Sequence, residues 1–270
     1  MHLKRWITSI LAIPVATWIY LGSLPAFSAL VALVALVAWW EYFFIFYRGD
    51  KKRIFTPIPL WGALTGMLLI GAAAARRFDL MIVLVWINLM GAAALSMPGF
   101  AGKQGEKVLD LVAAQVQYFI YIPLAVATLV LLRAEPQGVA WIFLVIIAVF
   151  LGDVGAYYAG TYFGRHKLIP AISPGKTVEG AIGGLAGNLV TGYVFKILLL
   201  PGVSTGYILL FVVLIGIFGQ LGDLFESEMK RAAKIKDSGT ILPGHGGMLD
   251  RIDALLFAAP AAFIFKTFLL

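Results

Sequence analysis

Several long stretches of this chain contain no charged residue, and they limit its fold more than any other feature. Four of them lie between Trp6 and Trp40 and over 54–75, 80–102 and 111–132. Each meets the length of about 20 residues that a helix needs to cross about 30 Å of hydrocarbon. Only helices and closed barrels satisfy their backbone groups in lipid, and apolar runs without alternation favour helices over barrel strands.

The composition supports a protein that exposes apolar surface to lipid. Hydrophobic residues make up 61% of the 270 residues and charged residues 13%. A soluble domain is nearer half apolar and a quarter charged, so this excess cannot all be buried in one water-soluble core. The chain has no cysteine, which excludes disulfides and thiolate metal sites.

The hydrophobic pattern predicts an all-α polytopic membrane protein in which residues 1–270 form a single membrane domain. Two polar inserts, 164–179 and 224–249, interrupt the pattern. The start of the chain resembles a signal peptide, but its apolar run continues into a second span, so we expect an uncleaved first helix. The nine predicted spans are 6–22, 25–47, 57–75, 79–98, 112–132, 138–163, 180–197, 206–223 and 250–269.

The distribution of Lys and Arg predicts the orientation, because cytoplasmic loops carry more of them. Placing the N-terminus in the cytoplasm puts sixteen of the 21 basic residues on the cytoplasmic side, together with both polar inserts. We therefore expect a cytoplasmic membrane protein with its polar chemistry facing the cytoplasm. The five basic residues on the outer side are Arg76, Arg77, Arg133, Lys196 and Lys266. Because the basic residues are dispersed over short loops, nucleic acid is not an expected partner.

The densest polar segment is 223–253, which contains six acids and five bases. If the eighth helix continues past Gly222, one broad face carries a series of polar side chains at helical spacing. Asp250 and Asp253 share a face of the ninth helix by the same rule. Opposed acidic faces with oxygen ligands suit Mg²⁺, which usually takes one or two carboxylates plus substrate phosphates; an ion-pair network is the alternative. The series on the eighth helix is Asp223, Glu226, Ser227, Lys230, Arg231 and Lys234.

A glycine-rich turn at 242–247 lies between these two helices. Glycines allow positive φ and close approach of the backbone to a ligand, and a helix N-terminus favours anions. An ordinary helix-entry turn explains the same residues. For His245 three roles stay open: phosphate binding, proton transfer and capping of the turn.

The first polar insert contains Ser173, Lys176 and Thr177 just before a predicted helix. A phosphate-binding P-loop is excluded, because that motif requires glycine where Pro170 stands. The position before a helix N-terminus still suits a phosphate group.

Two features inside the spans have both a structural and a functional explanation. Asp153 is an acid well inside an apolar run, where acids usually line a polar cavity or pair with another helix. Gly183-x-x-x-Gly187 is typical of close helix packing. We expect that packing to occur within one chain, with a homodimer as the alternative.

The charged segment resembles the signature of the phosphatidate cytidylyltransferases, the CDP-diacylglycerol synthases. A second block around Ser173-Pro174-x-Lys176-Thr177-x-Glu179-Gly180 resembles an upstream motif of that family. The positions that carry the signature are Ser227, Lys230, Arg231, Lys236, Asp237, Gly239, Pro243, Gly244, His245, Gly246, Gly247, Asp250, Arg251 and Asp253.

The resemblance implies that CTP and phosphatidate form CDP-diacylglycerol and pyrophosphate with Mg²⁺, a second cation being an open alternative. It implies catalytic roles for Asp223, Asp250, Lys230, Arg231 and His245. It implies Asp223 and Asp250 as first choices for metal ligands, and Asp253 and Glu226 as second choices. It implies substrate contacts by Ser173, Lys176, Thr177, Glu179, Ser227, Lys236, Asp237, Gly246, Gly247 and Arg251.

Two alternative functions are weighed against this interpretation. A CTP-dependent lipid kinase would transfer the terminal phosphate and release CDP. A membrane transporter would explain the many spans and Asp153, but it predicts polar residues near mid-membrane and often repeats. Here the polar residues gather at one predicted interface and no repeat is visible. The cytidylyltransferase is the function that we expect.

Overall fold

The computed structural model describes residues 18, 20, 22–97, 108–239, 241 and 246–269. Within this part of the chain, eight helices are long and apolar enough to cross a membrane. They agree with the second to ninth predicted spans to within a few residues, except that the eighth continues nine residues further. The first predicted span, 6–22, lies almost entirely outside the described residues. The all-α membrane architecture is confirmed.

Helices make up most of the part of the chain that the structure describes. The elements are α1 Leu24–Phe46, α2 Lys51–Ile54, α3 Pro57–Ala74, α4 Phe78–Leu95, α5 Val108–Phe119, a π-helical turn Ile120–Leu124, α6 Ala125–Ala134, α7 Gly138–Phe163, β1 Lys167–Ile169, β2 Ser173–Thr177, α8 Val178–Leu198, α9 Thr205–Ala232 and α10 Leu249–Leu269.

Local sequence explains several helix ends. Ser23 and Thr177 cap α1 and α8, their hydroxyls accepting hydrogen bonds from backbone N–H groups of the first turn. Pro123 stands in the π-helical turn between α5 and α6, where its missing N–H and its ring disturb the regular α-helical bonding. The crossing from Val108 to Ala134 nevertheless remains continuous.

A small antiparallel hairpin, β1 with β2, occupies the first polar insert, with Lys167 opposite Thr177. The sequence predicted an insert here without strands. The hairpin runs directly into α8, because Thr177 ends β2 and is also the N-cap of α8.

The chain forms two compact units. The first comprises 1–134 and 232–251, and the second comprises 135–231 and 252–270. The prediction of a single membrane domain stays a prediction, since two packing units can belong to one domain.

The core of the first unit is aromatic. Tyr42 and Phe43 of α1 pack against Tyr118 of α5, with ring centroids 5.6 and 5.2 Å apart. Two buried polar groups bond across helices: the Tyr42 hydroxyl donates to Ala114 O at 3.0 Å, and Trp39 Nε1 donates to Pro59 O at 2.8 Å. These bonds satisfy polar atoms that water cannot reach.

Glycines hold α7 and α8 together in the second unit. A Cβ on Gly183 would lie 2.2 Å from the Cβ of Ala159, and one on Gly187 would lie 2.8 Å from Leu151 O. The expected close packing through this glycine pair within one chain is therefore confirmed. A homodimer through other surfaces stays a prediction.

Candidate functional site

Helix α9 continues well beyond the apolar run and ends at Ala232. The predicted span ended at residue 223, and the helix meets the condition on which the polar face depended, since it continues past Gly222. This extension places Asp223, Ser227 and Lys230 at three- and four-residue spacing, as predicted. A Cβ on Gly222 would lie 2.5 Å from Asp253 O, so glycine permits a close approach of α9 to α10 at the start of the polar face.

Lys176 and Asp223 form an ion pair between the hairpin and α9. Lys176 Nζ lies 2.6 Å from Asp223 Oδ2, and both side chains are about one-third exposed. The hydroxyl of Ser227 donates weakly to Asp223 Oδ1 at 3.4 Å. The pair therefore joins a residue predicted to contact phosphate with one predicted to bind metal.

Glu226 is fully buried and pairs with Lys230 one turn further along α9. A buried carboxylate without such a pair would be strongly unfavourable. This pairing favours a structural role for Glu226 over its predicted role as a second-choice metal ligand. The pairing also holds the ammonium group of Lys230 next to the Glu226 carboxylate, on the same extension of α9 that carries Asp223 and Ser227.

Asp253 lies in the first turns of α10 and is half-buried. It interacts electrostatically with Asp223, Asp153 and Lys230. Two further acids and one base thus act on Asp253 within the second unit. Such a grouping of carboxylates suits a cation, and carboxylate oxygens are the ligands that Mg²⁺ takes.

A cavity of about 570 Å³ adjoins this charged group. Its lining includes the polar residues Asp153, Lys176, Gln220 and Asp223, so the acid inside α7 lines a cavity. Gln220 Nε2 donates to Ala181 O at 3.0 Å, which fixes one polar side chain of the wall. The lining residues are Asp153, Ala156, Tyr157, Gly160, Thr161, Leu168, Ser173, Gly175, Lys176, Thr177, Gly180, Ala181, Gln220 and Asp223.

The hairpin is fixed to the first turn of α8 by Glu179. Its carboxylate accepts hydrogen bonds from the N–H groups of Arg165 and His166 at 3.1 and 3.2 Å. Its other oxygen lies 2.6 Å from His166 Nδ1. These contacts give Glu179, predicted to contact substrate, a structural role in holding the hairpin.

Two further predicted residues of this region have structural partners. The buried hydroxyl of Thr177 accepts from Gly180 N at 3.0 Å and caps α8. Arg231 Nε donates to Ile172 O at 3.3 Å, so the end of α9 contacts the hairpin turn. Ser173 lines the cavity, as does Lys176.

Asp250 lies in the first turn of α10 and belongs to the first unit. Its Oδ2 accepts from Gly247 N at 2.8 Å and from both the backbone N and the hydroxyl of Ser238 at 3.0 Å. Gly246 has φ of +80°, a conformation that glycine adopts without strain. These bonds hold the Asp250 carboxylate in one orientation.

The sequence interpretation missed Glu41. This acid follows the charge-free run of the second predicted span and is 1% exposed. It contacts the segment around Asp250, which lies more than 190 residues away in sequence. A single acid inside a predicted span was the available signal, but nothing in the sequence indicated its partner.

The remaining predicted site residues divide into two groups. His245 lies outside the described residues, so its three open roles stay predictions. Three residues are exposed in and around the connection between α9 and α10: Lys236, Asp237 and Arg251.

Within the second unit, Asp223 and Asp253 supply carboxylate oxygens, the ligand type that Mg²⁺ takes, although the described residues contain no group of three or more acids or histidines arranged to hold a metal alone. Mg²⁺ usually keeps several waters and takes one or two carboxylates plus substrate phosphates, so a complete protein cage is not required. Asp250 and Asp253 lie three residues apart on α10, and Asp223 interacts with Asp253.

Comparison with known proteins identifies the family. The model of the cytidylyltransferase family matches residues 3–269. The chain belongs to this family. The match includes the hairpin, α9, the glycine turn and α10, and therefore every residue predicted to form the site.

Bacterial relatives named phosphatidate cytidylyltransferase resemble this family member. The protein of Staphylococcus saprophyticus is 45% identical over 130 residues, which cover 48% of this chain and 50% of the relative. That of Bacillus subtilis is 45% identical over 126 residues, or 47% of each chain. The protein of Mycobacterium bovis is 36% identical over 204 residues, which cover 74% of this chain and 65% of the relative. The chain spans about half the length of the first two relatives.

Proposed function

We propose that this member of the cytidylyltransferase family transfers the cytidylyl group of CTP to phosphatidate. A phosphate oxygen of phosphatidate attacks the α-phosphorus of CTP, the bond between the α-phosphorus and the bridging oxygen breaks, and pyrophosphate leaves. The products are CDP-diacylglycerol and pyrophosphate. The observation that carries the proposal is the cavity that the Lys176–Asp223 ion pair lines together with Asp153.

The attacking group is already anionic, so the reaction needs no strong general base. The main obstacle is electrostatic, because an anionic lipid must approach an anionic nucleotide. Preorganised positive groups reduce this repulsion and stabilise the charge that develops on the leaving pyrophosphate. The chain supplies such groups in Lys176, Lys230 and Arg231.

The proposal includes a magnesium ion. Asp223 and Asp250 are the first choices for its ligands, and Asp253 is a second choice. The ion would neutralise phosphate charge and orient the triphosphate when bound. Asp223 then has two tasks, since its carboxylate also positions the ammonium group of Lys176. Lys176 is thereby available to phosphate oxygens inside the cavity.

The proposed location of the reaction is the cytoplasmic surface of the membrane. Phosphatidate would reach the cavity from the lipid leaflet and CTP from water. Lipid bilayer, CTP and phosphatidate are the proposed partners. A homodimer is a further prediction, which the mass of the purified protein in detergent would test.

Turnover of CTP labelled at the α-phosphate tests the function directly. Detergent-purified protein receives labelled CTP, phosphatidate and Mg²⁺, with an EDTA sample as the control for the metal. We expect label to enter the lipid phase with release of pyrophosphate, and EDTA to abolish this transfer. Label that remains in water as CDP would instead identify a lipid kinase, and folded protein without turnover would favour the transporter.

A further inference from the structure

Glu41 is a carboxylate buried inside α1. It is 1% exposed, although the helix around it is apolar. Burying an ionised carboxylate is costly unless hydrogen bonds or charges compensate. The position of Glu41 therefore depends on the groups that surround it.

The compensation comes from the N-terminal end of α10. Met248 N donates to Glu41 Oε1 at 2.9 Å, and Leu249 N donates to Glu41 Oε2 at 2.7 Å. The first N–H groups of a helix have no partner within the helix, and the helix dipole favours an anion there. Glu41 thus caps α10 from another helix of the same unit.

Ser238 links Glu41 to Asp250. Its hydroxyl lies 3.1 Å from Glu41 Oε2 and 3.0 Å from Asp250 Oδ2. One hydroxyl has one proton, so it donates to one of the two carboxylates at a time. The backbone N–H groups of Ser238 and Gly247 also donate to Asp250 Oδ2.

Two glycines make this arrangement sterically feasible. A Cβ on Gly247 would lie 2.1 Å from the Ser238 hydroxyl and 2.5 Å from Glu41 Oε2. A Cβ on Gly239 would lie 2.4 Å from Glu41 Oε1. Both glycines therefore permit the backbone to approach Glu41. Their lack of a side chain leaves the space that the Glu41 carboxylate occupies, in addition to any effect on backbone flexibility.

We propose that Glu41 and Ser238 are positioning residues, which hold the N-terminus of α10 so that the Asp250 carboxylate is presented in a fixed orientation. The inference rests on the proposed function, in which Asp250 binds the metal that accompanies CTP. Neither residue needs to contact substrate. Residues that orient metal ligands in this way affect metal affinity or activity by about 10- to 100-fold when they are changed.

Metal binding by purified variants tests the role without relying on catalysis. Glu41→Gln and Ser238→Ala are prepared as full-length protein in detergent, and free Mn²⁺ is measured by electron paramagnetic resonance during titration with MnCl₂. We expect each variant to bind Mn²⁺ about 10-fold or more weakly than the unchanged protein. Ser28→Ala is the matched control, because Ser28 is a buried serine of α1 whose hydroxyl donates within its own helix to Leu24 O.

The enzyme assay supplies the second measurement. We expect the Mg²⁺ concentration for half-maximal rate to rise about 10-fold in both variants, while the KM for phosphatidate changes less than twofold. Melting temperatures recorded without metal separate positioning from stability, and all binding is measured well below them. If Glu41→Gln does not fold, Ser238→Ala carries the test, since it removes one hydroxyl and leaves the Ser238 N–H in place.

The outcomes separate this inference from the proposed function. Unchanged Mn²⁺ affinity and Mg²⁺ dependence in the folded variants would overturn the positioning role, even where the unchanged protein forms CDP-diacylglycerol. Weakened binding in Ser28→Ala to the same extent would also overturn it. A protein that forms no CDP-diacylglycerol at all would instead refute the proposed function.

Discussion

Lys176 shows how one side chain can serve both structure and chemistry. Its ammonium group lies 2.6 Å from Asp223 Oδ2 and lines the cavity of the second unit. A partly exposed ion pair contributes little to stability, typically up to about 1 kcal/mol. The same charge placed next to a triphosphate in a cavity with limited water contributes far more, because electrostatic interactions strengthen as the effective dielectric falls.

Replacing Lys176 should therefore reduce activity much more than stability. For Lys176→Met we expect kcat/KM for CTP to fall about 100-fold or more, with a melting temperature in detergent close to that of the unchanged protein. Lys196→Met is the matched control, because Lys196 lies in the last turn of α8, at the opposite end of this helix from the strand that carries Lys176. Steady-state turnover of labelled CTP is the measurement. Equal kcat/KM values for the two variants would refute a phosphate-binding role for Lys176.

Glu41 illustrates what a single sequence cannot reveal at the level of residues. The sequence shows that a glutamate stands in an apolar run at this position. It does not show the bond to the Ser238 hydroxyl, which joins residues 197 positions apart. Helical periodicity describes neighbours three and four residues apart and carries no information on such partners. By contrast, the acids of α9 and α10 were predicted because each set shares a helix.

At the level of secondary-structure elements, the local sequence predicts the helices but not the hairpin. Long apolar runs require helices in lipid, so the predicted bounds of α1, α7 and α10 differ from the structure by no more than one residue. Strands β1 and β2 contain only three and five residues, too few for an alternating pattern to be evident. The antiparallel pairing of the hairpin depends on contacts between its strands, and Glu179 fixes it to α8.

The packing of α7 on α8 leads to a prediction for Gly183. The Cβ of Gly183→Ala would lie 2.2 Å from the Ala159 Cβ and 2.9 Å from Gly155 O, so the helices must separate. We expect a loss of about 1–3 kcal/mol, seen as a lower melting temperature in detergent. Gly202→Ala is the control, since its Cβ would have no atom within 4 Å. Similar melting temperatures for both variants would contradict the close packing.

At the scale of the whole molecule, the orientation in the membrane decides which solution reaches the cavity. The excess of Lys and Arg on one side predicts that the hairpin and the connection between α9 and α10 face the cytoplasm, where CTP is found. The eight described helices indicate a multi-pass protein by their length and composition. The length and composition of these helices do not reveal the orientation, because a protein inserted the other way round would place the same apolar surface in lipid.

Cysteine labelling can determine this orientation, because the natural chain contains no cysteine. Gly175 of the hairpin and Gly202 after α8 lie beyond opposite ends of this helix, and a Cβ at either would meet no atom within 4 Å. Gly175→Cys and Gly202→Cys are therefore a matched pair that should fold normally. With a membrane-impermeant maleimide, we expect intact spheroplasts to label Gly202→Cys and to label Gly175→Cys only after lysis. The reverse pattern would place the cavity on the outer side, away from CTP, and would contradict the proposed reaction at the cytoplasmic surface.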